Sequence, residues 1–209
     1  YIISLRDGKA SMGDETGRQA VEFLQEIGQY FNEGFGATDY ATAQSMFLDG
    51  KSAMYYIGDW EQAAMLDAYN AGKVDYFYLP TAEGAKTGAN EFCVNSGIGM
   101  AFNTQTFDAK TKDFIKYVIE NYGKIYAGRM QMSPIKTELP EDIQFTDLYL
   151  RIREDMEKTG KNFLKPWDTY LDVDTNTVMQ DNMLLLAAGD MTVDDFIKIV
   201  DDAIASNVK

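Results

Sequence analysis

Apolar residues recur at helical spacing along most of this 209-residue chain. The spacing predicts helices over about 14–32, 40–48, 60–70, 108–122, 146–158, 175–188 and 192–206, with a short one over 124–132. Between them, continuous apolar runs of strand length lie at 53–57, 74–79 and around 92–102. This alternation of helices and short strands predicts an α/β fold.

The stretch 47–60, FLDGKSAMYYIGDW, carries the clearest local signals in the chain. A helix ends at Gly50, an apolar strand follows, and Gly58 interrupts that strand just before Asp59 and Trp60. Open α/β sheets bind their ligands at the carboxyl ends of the strands. Asp59 and Trp60 are therefore predicted to lie at a ligand site.

Charge and residue usage exclude several classes of function. The formal net charge of −14 argues against nucleic acid or an anionic membrane as a partner, since both are bound through Lys and Arg. The chain has no histidine, which removes Ser-His-Asp and Cys-His catalysis and the commonest zinc sites. Its one cysteine, Cys93, cannot form a disulfide within the chain and is predicted to be a small buried apolar residue.

Acidic clusters in the chain have the composition of metal or catalytic sites. Asp172, Asp174 and Asn176 copy the opening of a calcium loop, but Thr177 and Met183 stand where that loop needs Gly and Glu. Helix capping is the expected role of this cluster, and neither a metal nor a cofactor is predicted. The pairs Asp59 with Glu61 and Asp194 with Asp195 leave a carbohydrate-active hydrolase as the alternative function, although adjacent acids on helices are usually solvated.

The order of short motifs resembles that of a known family. The pattern F-x-x-G-K-x-A-M followed by G-x-W is similar to the signature of extracellular solute-binding proteins that supply carbohydrates to ABC importers, the maltose-binding-protein-like group. Further landmarks occur in the same order: Leu79-Pro80, the run NSGIGMAF at 95–102, Ser133-Pro134, and AAGDMTVDDF at 187–196. The resemblance extends over essentially the whole chain, residues 1–209.

The resemblance implies a periplasmic-binding-protein-like (type II) architecture, with two α/β lobes around a cleft. This chain is then mostly the second lobe, with a helical excursion into the first. Residues 1–93 form the α/β part of the second lobe, 94–145 a crossing strand and a first-lobe helical segment, and 146–209 helices that pack on the second lobe. The chain is expected to be the C-terminal half of a longer protein, whose secretion signal lies upstream.

The implied function is that of a non-enzymatic substrate-binding component of an ABC sugar importer. A sugar needs aromatic rings for its C–H faces and polar groups for its hydroxyls. By resemblance Trp60 stacks on the sugar, and Asp59 beside it supplies a polar group for a hydroxyl. From the residues alone, Trp60 can instead pack against the following helix, and Asp59 can equally be the N-cap of that helix.

Two further segments supply candidate ligand-binding residues. By resemblance Asn95 and Ser96 face the cleft where a strand crosses between lobes, although Gly97 and Gly99 there can simply mark a bulge. In KPWDTYLDVD, Trp167 and Tyr170 can border the cleft. Here the sequence departs from the maltose-binding pattern, because Asn176 stands where that pattern has an aromatic on the helix. Trp167 is thus either a substitute stacking residue or a core residue.

The expected partners are a carbohydrate and the permease subunits of an ABC transporter in the membrane, with no nucleic acid. The full-length protein is expected to be a monomer and to act outside the cytoplasm, as a lipoprotein or in a periplasm. A third alternative is an interaction module without a small ligand, since the chain has 13 Tyr and 12 Phe. Most of these rings fall on helical or strand stripes, where burial in a core explains them.

Overall fold

The structure, a computed structural model, describes residues 1–80, 92–93, 99–133, 137–159 and 163–207. Eight α-helices lie in these residues: α1 Ile2–Arg6, α2 Glu15–Gly28, α3 Tyr40–Leu48, α4 Gln62–Asn70, α5 Ala109–Gly128, α6 Asp147–Thr159, α7 Val173–Ala188 and α8 Val193–Asn207. Short 3₁₀ helices span Phe35–Ala37, Asp59–Glu61 and Trp167–Thr169. Two strands, β1 Phe92–Cys93 and β2 Phe163–Leu164, pair in parallel, with Phe92 opposite Phe163.

Helix ends follow the capping signals in the sequence. The Asp172 carboxylate accepts hydrogen bonds from the backbone N–H and the hydroxyl of Thr175 at 2.9 and 2.6 Å, which confirms that this acidic cluster begins a helix. Thr192 and Asp195 form a reciprocal cap at the start of α8. Gly50 and Gly189 adopt the left-handed conformation that ends helices, with φ of 72° and 80°.

The predicted strands are wrong at two places. Residues 53–58 and 74–80 have no regular secondary structure, and no strand pairing is assigned to either stretch within the described residues. In the second stretch Val74, Tyr76 and Tyr78 are half-buried, while Phe77 and Leu79 are 68% and 62% exposed. The period of two is therefore that of a strand, but a strand also needs a partner ladder. Of the predicted strand over 92–102, Phe92–Cys93 is regular, and 94–98 lie outside the described residues.

Cys93 is exposed, which corrects the prediction that it is buried. The apolar run around it predicted a core position, but the two-residue strand in which it lies leaves its side chain facing outward.

The chain divides into two compact units. Unit 1 comprises Tyr1–Ser45 and Lys165–Lys209, and unit 2 comprises Met46–Leu164. In unit 1, α2, α7 and α8 pack on one another. Their shared core is formed by Leu5, Met12, Val21, Leu171, Met179, Leu186, Phe196, Ile197, Val200 and Ile204. The loop before α2 is fixed to α8 by Asp201, which accepts hydrogen bonds from Ser11 Oγ and Met12 N at 2.6 and 2.7 Å.

In unit 2, α4 packs against α6. Leu148 and Tyr149 of α6 are 5% and 3% exposed and form its buried face. In the part of the chain that the structure describes, no helix combines the length and the apolar character that a membrane crossing requires.

A polar network holds the stretch 74–80 on α6. The Arg151 guanidinium contacts Asp75 Oδ1 at 2.7 Å and lies 4.5 Å from the ring centre of Tyr76. The Tyr76 hydroxyl donates to Asp155 Oδ2 at 2.5 Å. Burial and this hydrogen bond raise the pKa of Tyr76. Side-chain contacts thus position this stretch, to which no ladder bonds are assigned within the described residues.

Candidate functional site

Trp60 lies in a tight turn between the stretch 53–58 and helix α4. The Glu61 N–H donates to Gly58 O at 3.2 Å, which closes the 3₁₀ turn Asp59–Glu61. Glu61 and Gln62 are 8% and 5% exposed, whereas Trp60 is 56% exposed. The turn is therefore anchored by the two residues that follow Trp60, and its indole projects toward solvent.

Asp59 connects this turn to the chain after α5. Its Oδ2 accepts a hydrogen bond from the backbone N–H of Met132 at 3.3 Å. No side-chain capping bond forms at the start of the 3₁₀ turn or of α4, so the alternative of Asp59 as a helix N-cap is wrong. Burial raises the pKa of the Asp59 carboxyl, and the hydrogen bond from Met132 opposes that rise. Asp59 is thus a half-buried acceptor beside the exposed indole.

Two tyrosines, Tyr149, which is buried, and Tyr78, which is half-buried, lie within electrostatic reach of Asp59. Burial raises the pKa of both Tyr78 and Tyr149, and the negative charge of Asp59 adds to both shifts. Tyr149 stacks on Phe145 with ring centres 5.0 Å apart and 22° between the planes. Asp59 is thus close enough to Tyr78 and Tyr149 for its charge to act on both hydroxyls.

Gln62, the first residue of α4, was missed by the sequence reasoning. Both polar atoms of its amide are buried, and neither has a hydrogen-bond partner among the described residues. Buried amides in proteins are almost always hydrogen-bonded, so this residue is an exception in the turn that carries Trp60. Burial of a glutamine has no signal in the periodicity of the sequence.

The other predicted site residues lie elsewhere in the chain. Trp167 and Tyr170 belong to unit 1, where Trp167 packs against the core and the Tyr170 N–H donates to Trp167 O at 3.0 Å. The Asn176 amide donates to Asp168 O at 2.7 Å and so joins α7 to this segment. The structure gives Trp167 a core contact, and its stacking role stays a prediction. Asn95 and Ser96 lie outside the described residues.

The paired acids weighed as catalytic groups have structural partners. Asp194 contacts Arg18 at 2.7 Å, and Asp195 belongs to the cap of α8. Glu61 is buried next to Asp59 in the same turn. A separate pocket of about 270 Å³ in unit 1 is lined by Gln25, Gly28, Gln29, Phe35 and 187–189, a set that includes none of the predicted site residues.

Comparison with a solved structure identifies the fold. The chain superposes on a chitin oligosaccharide binding protein with a TM-score of 0.77 at 17% sequence identity, over 99% of this chain and 53% of that one. The two proteins share a fold, which is consistent with the predicted periplasmic-binding-protein-like architecture. The present chain spans about half the length of that relative.

Sequence comparison gives the family. Residues 2–148 match the model of the bacterial extracellular solute-binding proteins, and the chain belongs to this family, as its motifs predicted. Two curated relatives are the probable sugar-binding periplasmic proteins of Brucella suis biovar 1 and Brucella melitensis biotype 1. Each is 27% identical to this chain over 79 residues, which are 37% of this chain and 19% of the relative.

Proposed function

We propose that this chain is part of the substrate-binding component of an ABC sugar importer. In this proposal the protein binds a carbohydrate outside the cytoplasm, as a lipoprotein or in a periplasm, and delivers it to permease subunits in the membrane. The family, whose members bind solutes outside the cell, supports the location and the class of activity. The printed names of the relatives, sugar-binding and chitin oligosaccharide binding, support carbohydrate as the ligand.

The observation that carries the proposal is the exposed indole of Trp60 beside the Asp59 carboxyl. A pyranose presents C–H groups on its faces and hydroxyls around its rim, so it is bound by a flat aromatic surface with an adjacent hydrogen-bond acceptor. Trp60 is 56% exposed although the next two residues are buried. Asp59 lies one residue away and is fixed by Met132.

The finer architecture belongs to the same proposal. The sugar lies between two lobes of a type II binding protein, and the present chain supplies most of the second lobe. Asn95 and Ser96 at the crossing strand, together with Trp167 and Tyr170, are the proposed additional contacts. The complete protein works as a monomer, and lobe closure around the sugar forms the surface that the permease recognises.

The proposal includes no catalysis. A glycosidase needs two carboxyl groups on opposite sides of one glycosidic bond. Of the acids weighed for that role, Asp194 pairs with Arg18 and Asp195 caps α8. Asp59 and Glu61 belong to the same turn, where Glu61 is 8% exposed.

The test is isothermal titration calorimetry of the full-length protein against a panel of mono- and oligosaccharides, since it does not depend on a tryptophan signal. We expect saturable binding of one sugar class, weakened about tenfold or more by Trp60→Ala, because the stacking surface is lost. The control is Tyr30→Ala, which removes a ring that is 78% exposed in unit 1 and should leave the affinity unchanged.

Chromatography of the same mixtures after incubation reports hydrolysis. Intact oligosaccharides are expected, and shortened products would favour the hydrolase instead. Equal affinities of the wild type and Trp60→Ala would remove Trp60 from the site. If the protein binds none of the sugars, its ligand belongs to another class of solute.

A further inference from the structure

The indole of Trp60 folds back over Gly58. A Cβ atom built on Gly58 would overlap Cε3, Cζ3 and Cη2 of the Trp60 ring, far inside the 3.0 Å that real Cβ atoms keep from their neighbours. The six-membered ring therefore occupies the space that any other residue at position 58 would need for its side chain.

The backbone of Gly58 gives no other reason for a glycine. Its φ of −92° and ψ of 173° are ordinary extended values that every residue adopts. By contrast, Gly34, Gly50, Gly72 and Gly189 have φ between 66° and 80°, where glycine relieves backbone strain. At position 58 it is the ring of Trp60, and not the turn, that excludes a side chain.

The turn is held by bonds that do not involve the Gly58 side of the ring. Gly58 O accepts from the Glu61 N–H at 3.2 Å, and Asp59 accepts from the Met132 N–H at 3.3 Å. The overlapping atoms lie at the far end of a rotatable side chain that is 56% exposed. A methyl group at position 58 would thus displace the indole and leave the backbone in place.

We propose that Gly58 is a positioning residue for the ligand site: by having no side chain, it leaves the space in which the Trp60 indole lies as a stacking surface. The inference rests on the proposed function for its consequence on sugar binding, but the ring position is testable without a ligand. It also gives a physical reason for the one-residue spacing between glycine and tryptophan in this turn, since the glycine is where the ring comes to rest.

The first test is fluorine NMR of the protein labelled with fluorotryptophan, without ligand. The chain has two tryptophans, and loss of one resonance in Trp60→Ala assigns the other to Trp167. We expect Gly58→Ala to shift the Trp60 resonance and leave that of Trp167 unchanged. Gly36→Ala is the matched control, because open space surrounds Gly36, and it should shift neither. An unmoved Trp60 resonance in Gly58→Ala would overturn the proposal.

The second test is calorimetric titration with the sugar that the wild type binds. Gly58→Ala should weaken binding about tenfold, and in the Trp60→Ala background it should have no further effect, since the ring is absent. Unchanged affinity in Gly58→Ala, with binding lost in Trp60→Ala, would overturn the proposal. If the wild type binds no sugar, the proposed function fails, and the fluorine spectrum still decides whether Gly58 positions the ring.

If Gly58→Ala does not fold, the double variant Gly58→Ala/Trp60→Ala decides the matter by circular dichroism and thermal denaturation. Folding restored by removal of the ring supports the positioning role. Failure of the double variant as well would show that the turn itself requires glycine, which contradicts the inference.

Discussion

At the scale of single residues, Asp59 illustrates what local patterns can predict. Trp60 was found because the glycine and the aromatic that follows it are adjacent signals in the sequence. The role of Asp59 depends instead on Met132, which lies 73 positions away, and no periodicity relates the two. Local sequence patterns therefore suggest a helix cap for Asp59, whereas in the fold its partner is the backbone N–H of Met132.

The partly buried carboxyl of Asp59 predicts a pH dependence of stability. Because burial raises its pKa above the ordinary 3.8, the folded state holds this proton at pH values where the unfolded state has lost it. The free energy of unfolding contributed by Asp59 thus decreases as pH rises from the unfolded to the folded pKa. Asp59→Asn removes the charge and should raise Tm at neutral pH.

Thermal denaturation of the wild type and of Asp59→Asn from about pH 7 to about pH 4 checks this prediction. The advantage of Asp59→Asn should shrink as pH falls, since the folded wild-type carboxyl takes up a proton and no longer carries a buried charge. Asp39→Asn is a useful comparison, because hydrogen bonds from Thr42 lower the pKa of Asp39 and predict the opposite pH trend. An increase in Tm for Asp59→Asn that is the same at every pH would contradict this prediction.

At the scale of elements, helices were predicted far better than strands. Seven of the eight described α-helices follow from apolar periodicity and capping residues, because a helix makes its hydrogen bonds within one segment. A strand makes them with another segment, which the pattern of 74–79 alone does not identify. The short helix α1 was missed, since five residues contain too little periodicity.

The contact between α2 and α7 gives a prediction at this scale. A Cβ atom on Gly28 would overlap the backbone of Ala187, so the two helices approach each other through this glycine. Unlike the ring at Gly58, this obstacle is main chain and cannot rotate away. Gly28→Ala should lower the free energy of unfolding by about 1–3 kcal/mol, the usual cost of overpacking a core.

Urea denaturation of Gly28→Ala beside Gly36→Ala measures this effect. The second variant places its methyl group in open space and should change the free energy of unfolding by less than about 0.5 kcal/mol. Equal stability of the two variants would mean that α2 and α7 do not meet at Gly28.

At the scale of the whole molecule, the sequence predicted the family but not the grouping of its segments. Unit 1 combines the two ends of the chain, 1–45 and 165–209, whereas apolar stripes show only that each helix has a buried face. The division into 1–93, 94–145 and 146–209 follows lobes of the complete protein and stays a prediction. The order of the motifs identifies the family even though the motifs lie far apart in the sequence. Which helices pack on one another depends on the fold, and the motifs do not show it.

On the proposed function, this 209-residue chain should bind the sugar with lower affinity than the full-length protein does. In the proposed function the sugar is held between two lobes, and a ligand shifts lobe closure only by its differential affinity for the closed state. On the same proposal, this chain supplies most of one lobe and lacks the contacts of the other. Calorimetric titration with the same sugar should therefore give an affinity about 100-fold weaker for the chain, or no detectable heat.

Trp60→Ala in both forms separates the two contributions to binding. If the chain retains weak binding through the indole, the substitution should weaken binding by the same factor in the chain and in the full-length protein, because Trp60 lies in unit 2. Equal affinity of the chain and the full-length protein would mean that one lobe holds the entire site. The proposed site between two lobes would then be replaced by a surface site around Asp59 and Trp60.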